Sequence, residues 1–342
     1  MTHTTVILTE RDVARLVDMR TAIRVVRGAF KAMAQGHAVM PPKVYLPLPR
    51  QSDFRAMPAY LSRPPACGVK WVNVHPHNRS RGLPTVMAVI IISDPATGAP
   101  LAVMDGLLVT KLRTAAAAAV AAQALARPES RVVGLIGCGA QAAAQLEALA
   151  VCFSLMRVNV WGHTPGEAAR FCAAMRRRMP RVQYVPCASV ERAVRGADLV
   201  VTITPSRRPL VQRSWVSAGT HLNAIGADAP GKQELDPRIL RAARVVVDDR
   251  VQAIHGGELN VPVRRGLYRP RDIHANLGDI LIGRTPWRRR ASELTVFDST
   301  GLAIHDVALG AAIVQRAQRL GVGRRLALFT PTPKSLVRGF TS

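Results

Sequence analysis

The chain has 342 residues, enough for two domains with a core in each. Its 48% hydrophobic and 20% charged content suits a folded globular protein, and no apolar run reaches the ~18 residues of a membrane-spanning helix. The net charge of +25 comes from 41 Arg against 6 Lys, spread along the chain without zinc-finger or basic-zipper patterning or interleaved aromatics, which argues against a specific nucleic-acid partner.

Residues 5–36 predict a short strand and then a helix over 10–34, with Val13, Leu16, Val17, Ile23, Val26 and Phe30 at helical spacing and Gly36 at its end. From 41 to 105 the pattern turns to strands, at 43–48, 54–60, 68–74 and 85–93. Pro64-Pro65, Arg81-Gly82 and Asp94-Pro95-Ala96-Thr97-Gly98 mark the turns, and an antiparallel sheet with a covering helix is expected. An alanine-rich helix over 110–126, stopped by Pro128, leads to strands at 131–136, 157–161, 182–185, 198–203, 220–225 and 244–248, with helices between most of them. That alternation calls for a doubly wound parallel sheet. A last helix over 304–319 returns the chain to its first domain. The expected fold is α/β, with a Rossmann domain at 119–303 inserted in a second, α+β domain formed by 1–118 and 304–342. Runs such as Arg176-Arg177-Arg178 and Arg288-Arg289-Arg290 fall at helix ends or loops and read as solvated surface.

The five cysteines (Cys67, Cys138, Cys152, Cys172, Cys187) are odd in number and form no C-x-x-C pair. That argues against a disulfide framework or a structural zinc, and for a reducing, cytoplasmic setting. The N-terminal MTHTTVILTERDVARL lacks the basic-then-apolar pattern of a signal peptide. His75 and His77 could share one side of a strand but have no third ligand, so no metal is expected, and His255-Gly256-Gly257-Glu258 reads as a loop.

The most specific local signal is RVVGLIGCGAQAAAQLEAL at 131–149. A buried strand, Gly137-Cys138-Gly139-Ala140-Gln141-Ala142 and a helix follow one another, which is the G-x-G-x-x-A form of the dinucleotide fingerprint. Gly137 permits the tight turn, Gly139 admits a pyrophosphate to the backbone, and Ala142 lets the helix pack close to the strand. The ribose-binding acid expected about 20 residues further on is missing, and Trp161-Gly162-His163-Thr164 stands there instead. His163, Thr164 and Arg170 could accept a 2′-phosphate. The cofactor is therefore NAD(H) or NADP(H), with NADP(H) favoured by the missing acid.

Three further residues draw attention. Lys70 lies within a strand between Val69 and Trp71, where a cation is costly unless paired. Arg113 falls in the expected first turn of the alanine helix, where a cation opposes the helix dipole. Asp228 follows a strand end, the place where open α/β sheets bind ligands. An edge lysine, a solvent-facing arginine and a turn-capping aspartate are the plain alternatives at these positions.

Five segments taken together resemble the ornithine cyclodeaminase/μ-crystallin superfamily across nearly the whole chain. They are GVKWVNVHPHNRSRGLPT (68–85), LLVTKLRTAAAAAVAA (107–122), GLIGCGAQAAAQLEAL (134–149), HLNAIGADAPGKQELD (221–236) and FDSTGLAIHDVAL (297–309). The resemblance implies a homodimer built through the β-rich domain, and an active site in the cleft between domains. It implies that Lys70 and Arg113 bind a substrate carboxylate and that Asp228 is the general acid/base. Thr85, Arg113, Ala140, Gln141, Thr204, Leu222, Asn223, Ala224, Ile225 and Lys232 match positions around the dinucleotide.

The reaction implied is hydride transfer at the α-carbon of an amino acid or the corresponding imine. Ornithine cyclodeaminases carry a glutamate two residues before a Met-Pro pair, to hold a side-chain ammonium. Here Met57-Pro58 is preceded by Arg55, which argues against a diamine substrate. Lys43 and Arg55 match the lysine and arginine of the family's alanine dehydrogenases, as does the stretch 223–260. Reversible oxidative deamination of L-alanine, or a similar small amino acid, is the first expectation, with Lys43 and Arg55 also holding carboxylate. The acid-free segment after Val160 is similar to that of the NADPH-dependent ketimine reductases, which makes reduction of a cyclic imino acid the alternative. Ornithine cyclodeaminase activity and a non-enzymatic binding role, as in μ-crystallin, are the remaining readings.

Overall fold

A computed structural model describes residues 4–50, 52–288 and 290–328; Arg289 and the expected first-domain segment 329–342 lie outside the described residues. Strand β1 (Thr5–Leu8) passes directly into helix α1 (Glu10–Leu16) at Thr9, whose hydroxyl accepts the Asp12 amide while the Asp12 carboxylate accepts the Thr9 amide. The helix expected over 10–34 is broken: Val17 is extended, and α2 runs over Met19–Ala34. The two halves serve different cores. α1 packs on β1 and on the strand Pro100–Asp105, whereas α2 packs on the later helices Ala142–Cys152 and Leu277–Leu281.

Next come β2 (Ala38–Val39), β3 (Val44–Leu48), β4 (Ser52–Ser62), β5 (Pro65–Val74), β6 (Val86–Ser93) and β7 (Pro100–Asp105). Helix α3 (Leu107–Leu125) leads into β8 (Val132–Ile136), α4 (Ala142–Cys152), β9 (Arg157–Trp161), α5 (Glu167–Arg178), β10 (Gln183–Pro186), α6 (Val190–Val194), β11 (Leu199–Thr202) and β12 (His221–Ala224). The chain continues through α7 (Pro237–Ala242), β13 (Arg244–Val247), α8 (Arg250–Gly256), α9 (Asn260–Arg264), β14 (Ala275–Asn276), α10 (Leu277–Leu281) and β15 (Thr295–Asp298). It closes with α11 (Ala303–Leu320) and β16 (Arg324–Leu326).

The chain divides into two compact units. The first takes the described residues of Met1–Asp18, Ala38–Thr110 and Asp306–Ser342, the second Met19–His37 and Lys111–His305. The expected boundaries were 118/119 and 303/304, with 19–37 in the first domain. The assignment of 19–37 follows from packing, since a Cβ on Gly278 of α10 would stand 2.6 Å from the Phe30 carbonyl of α2, and such close backbone contact ties α2 to the second unit.

In the first unit the sheet order is β16-β1-β7-β6-β5-β4-β2, with β3 also on β4. The strands of 41–105 pair antiparallel throughout, as expected, and β1 joins them by running parallel to β7 and antiparallel to β16. Side chains alternate across this sheet. Met57, Leu61, Ile90, Ile92 and Met104 are buried on one face, and Lys70, directly opposite Met57, shares it. Trp71 and Val89, a cross-strand pair, occupy the other face and are exposed.

The second unit holds an eight-stranded, all-parallel sheet in the order β10-β9-β8-β11-β12-β15-β13-β14. Its two faces bury separate apolar clusters. One joins Ala118 and Ala122 of α3, Leu146 and Leu149 of α4 and Met175 of α5; the other joins Val194 of α6, Ile239 of α7 and Ala253 of α8. This is the doubly wound sheet expected. Strands β14 and β15 were not foreseen, and β15 lies in the middle of the sheet with all four residues buried. No helix among the described residues is long and apolar enough to cross a membrane.

Candidate active site

The glycine turn forms as its spacing requires. Gly137 has φ +111°, its amide donates to the Trp161 carbonyl at 2.9 Å, and a Cβ there would stand 2.9 Å from the Ile203 carbonyl oxygen. Only glycine closes that turn. Gly139 has nothing within 4 Å of the Cβ position, so open space lies above its backbone. Ala142, the first residue of α4, is fully buried against the strand. Gln141 sits at the helix cap without a side-chain capping bond, and its Oε1 is buried without a partner among the described residues. A pyrophosphate fits this geometry, with helix-start amides to receive it and a buried acceptor for a hydroxyl. Thr204, just past β11, packs its methyl 3.0 Å from the Gly137 Cβ position.

On β12, Leu222, Asn223 and Ala224 are buried inside the sheet. Asn223 Nδ2 donates to the Ala118 carbonyl at 3.2 Å, and its Oδ1 lies 3.0 Å from His221 Nε2. These three positions therefore support the strand, and the chain leaves the sheet only from Ile225 onward. Asp228 follows in that segment, where Lys232 Nζ donates to its Oδ1 at 2.5 Å. The segment is held at both ends: Gly226 N donates to Glu234 Oε2 (2.9 Å), and Gly231 N donates to Asn260 Oδ1 (2.8 Å).

Behind it lies a ladder of buried carboxylates that sequence reading did not single out. Glu234 Oε1 accepts the Thr204 amide and hydroxyl, both at 2.7 Å. Glu258 accepts the amides of Glu234 (3.0 Å) and Leu235 (2.7 Å), and Asp298 accepts those of Glu258 (2.9 Å) and Leu259 (3.2 Å). Asp248 accepts from Thr300 N (2.7 Å), Thr300 Oγ1 (2.9 Å) and Gly301 N (2.8 Å). Burial raises the carboxyls of Glu234, Glu258 and Asp298 above the ordinary range; neighbouring acids add to this at Glu258 and Asp298, and the amide bonds oppose it. Each rung fixes a loop at the C-terminal edge of the sheet. All four acids stand in segments already noted, but nothing local marks them as partners of distant amides.

Arg113 lies nearly two turns into α3, because the helix begins at Leu107 with Asp105 capping the amides of Leu107 and Leu108. It is not in the first turn, so its conflict with the helix dipole is small. Its guanidinium is buried, and Nη1 stands 2.7 Å from where a Cβ on Gly301 would be. Gly301 has φ +81°, and its amide is the one held by Asp248.

In the first unit, Lys70 is buried with Nζ 2.8 Å from Asp306 Oδ2 of α11. The cation is paired, as a lysine inside a strand requires, and Asp306 went unnoticed within FDSTGLAIHD. Arg55 lies on the same sheet face, diagonal to Lys70 across β4 and β5. Its Nε and Nη2 bond the two oxygens of Asp53 at 2.8 and 3.1 Å, and its guanidinium stands 5.1 Å from the centre of the Tyr45 ring. Lys43 is half-buried just before β3, and Thr85 is half-buried before β6, with its carbonyl accepting the His75 amide at 2.7 Å.

The remaining expectations are placed as follows. His163 and Thr164 are exposed beyond β9, and the Thr164 amide and hydroxyl each lie 3.3 Å from Glu167 Oε2. No group of three metal-ligating side chains occurs among the described residues. His255 is not in a loop: it belongs to α8, which ends at Gly256 with the Gly257 amide bonded to the Ala253 carbonyl.

The sequence pattern of the ornithine cyclodeaminase/mu-crystallin family matches residues 3–320. An alanine dehydrogenase of Archaeoglobus fulgidus is 47% identical over 325 residues, covering 95% of this chain and 99% of that one. A solved archaeal alanine dehydrogenase dimer with bound NAD superposes with a TM-score of 0.91 at 47% identity, over 96% of this chain and 100% of the other. The Δ1-pyrroline-2-carboxylate reductase of Thermococcus litoralis, solved with NADH and L-proline, also gives a TM-score of 0.91, at 32% identity over 94% of this chain and 100% of that one.

Proposed function

The chain belongs to the ornithine cyclodeaminase/mu-crystallin family, and on that premise we propose that it is an NAD(H)-dependent oxidoreductase that interconverts L-alanine with pyruvate and ammonia. The observation that carries this reading is 47% identity to an alanine dehydrogenase across almost the full length of both chains. Both solved relatives described above hold NAD or NADH, which supports NAD(H) over the NADP(H) favoured by the strand-end sequence.

A nicotinamide held by the glycine turn would exchange hydride with the α-carbon of the amino acid. Lys70 and Arg113 bind the substrate carboxylate, and so orient the α-carbon. Asp306 fixes the Lys70 ammonium, and the Gly301 turn fixes the Arg113 guanidinium. Asp228 takes the proton from the substrate nitrogen or the attacking water, and returns it in the reverse direction. Lys232 holds that carboxylate in place.

Arg55 supports a small substrate. A diamine's second ammonium would meet a guanidinium where it needs a carboxylate; Asp53 orients that guanidinium and offsets part of its charge. Lys43 adds a further cation before β3. The exposed face of the first unit's sheet supports assembly as a homodimer. Val44 (62% exposed), Leu46, Trp71 (43%) and Val89 lie exposed on one face, and clustered exposed apolar side chains mark interaction surfaces. The five cysteines form no disulfide, which fits a cytoplasmic location.

Likeness to the pyrroline-carboxylate reductase supports a second reading, reduction of a cyclic imino acid. The two are separated by following NAD+ reduction with L-alanine, L-proline and L-ornithine in parallel. Alanine is expected to be oxidised with release of ammonia, and ornithine to give neither NADH nor ammonia. Asp228→Asn is expected to lose turnover by a factor of about 10²–10⁴ while still binding NADH. Turnover of proline alone would favour the second reading, and full activity of Asp228→Asn would remove that residue from proton transfer.

A further inference from the structure

Helix α5 supplies the acid that the end of β9 lacks. Glu167 is the first residue of that helix, and it turns back toward the strand. Its Oε2 lies 3.3 Å from both the amide and the hydroxyl of Thr164. A Cβ on Gly162 would stand 2.8 Å from the same oxygen, so the absence of a side chain at Gly162 makes the space that the carboxylate fills.

The strand end itself adjoins the glycine turn. The Gly137 amide and the Cys138 thiol both bond the Trp161 carbonyl, at 2.9 and 3.5 Å. Burial pushes the Cys138 thiol up to about 12, and the negative charge of Glu167 adds to that effect. A dinucleotide on the Gly137–Gly139 turn places its adenosine ribose at the end of the second strand, which here is β9.

We propose that the Glu167 carboxylate receives the adenosine ribose hydroxyls and sets a preference for NAD(H) over NADP(H); this rests on the dinucleotide reading given above. A carboxylate accepts hydrogen bonds from a 2′-hydroxyl and repels a 2′-phosphate. Thr164, which would otherwise donate to that phosphate, already donates to Glu167. The Arg170 guanidinium lies along the Gly166 backbone, with Nη1 3.0 Å from the Cβ position there.

The test measures dissociation constants for NADH and NADPH, by nicotinamide fluorescence, on the wild type, Glu167→Gln and Glu167→Lys. The glutamine keeps the side-chain shape and an acceptor for Thr164, and thermal melts check that both variants fold. The wild type is expected to bind NADH about tenfold or more tightly than NADPH, and Glu167→Gln to narrow that ratio about tenfold, chiefly by binding NADPH better. Glu167→Lys should reverse it. A wild type that prefers NADPH, or a ratio unchanged in both variants while NADH still binds, overturns the role of Glu167 alone. If neither dinucleotide binds the wild type, the cofactor reading falls and this inference falls with it.

Discussion

Lys70 of β5 and Asp306 of α11 meet as a buried ion pair, Nζ to Oδ2 2.8 Å, with side chains 1% and 0% exposed. Neither charge can be rehydrated if the other is removed, so Asp306→Ala is expected to destabilise the fold by about 3–5 kcal/mol. An apolar pair, Lys70→Met with Asp306→Leu, should recover much of that stability in denaturant titrations and yet have no turnover. Wild-type turnover in the double variant would show that Lys70 serves packing alone.

Gly301 constrains Arg113, the arginine proposed to bind the substrate carboxylate. At φ +81° an alanine is strained by about 1–2 kcal/mol, and its Cβ would press within 2.7 Å of Arg113 Nη1. Gly301→Ala should raise the KM for pyruvate about tenfold or more, with the dissociation constant for NADH little changed. An unchanged KM would take Arg113 out of substrate binding.

The His221 imidazole is buried between Thr295 Oγ1 (2.9 Å) and Asn223 Oδ1 (3.0 Å), and burial lowers its pKa from 6.5 to about 3. Below pH 6.5 the unfolded chain takes up a proton that the folded chain refuses. The stability due to the neutral ring is therefore complete above pH 6.5 and is lost as pH falls toward 3, by at most about 1.4 kcal/mol per unit. Urea titrations at pH 7 and pH 5 should show a smaller acid loss for His221→Gln than for the wild type. Equal losses would mean that the ring is charged in the fold.

Trp71 and Val89 face one another on the exposed side of the first unit's sheet. Trp71→Glu with Val89→Glu would place like charges in any apolar contact made there. The double variant is expected to elute as a monomer in light-scattering chromatography where the wild type elutes as a dimer. A dimer in both would locate the contact elsewhere.

The features legible in the sequence were those whose causes are local. The glycine turn follows from backbone conformation at Gly137 and space at Gly139, two residues apart, and spacing alone reveals both. Lys70 stood out because a strand-buried cation needs a partner, but the partner lies 236 residues away. The carboxylate ladder was hidden for the same reason: Glu234 and Glu258 act on amides 8–30 residues distant, Asp298 and Asp248 on amides 39–53 residues distant. Glu167 escaped notice because a ribose acid was sought at the strand end, whereas the helix delivers it. The pattern of α2 reveals its apolar stripe but not which core the stripe joins; 19–37 is expected in the first domain and clusters with the second unit. The Gly256-Gly257 pair suggested a loop, yet it ends a helix that already contains His255.

The proposed reaction makes and unmakes the amino group of alanine. The most direct test follows nicotinamide absorbance with NADH and pyruvate while ammonia is raised from zero. Oxidation that requires both pyruvate and ammonia, saturates in each and yields L-alanine is the result expected. No oxidation under those conditions, with rapid turnover of a cyclic imino acid by the same preparation, would contradict it.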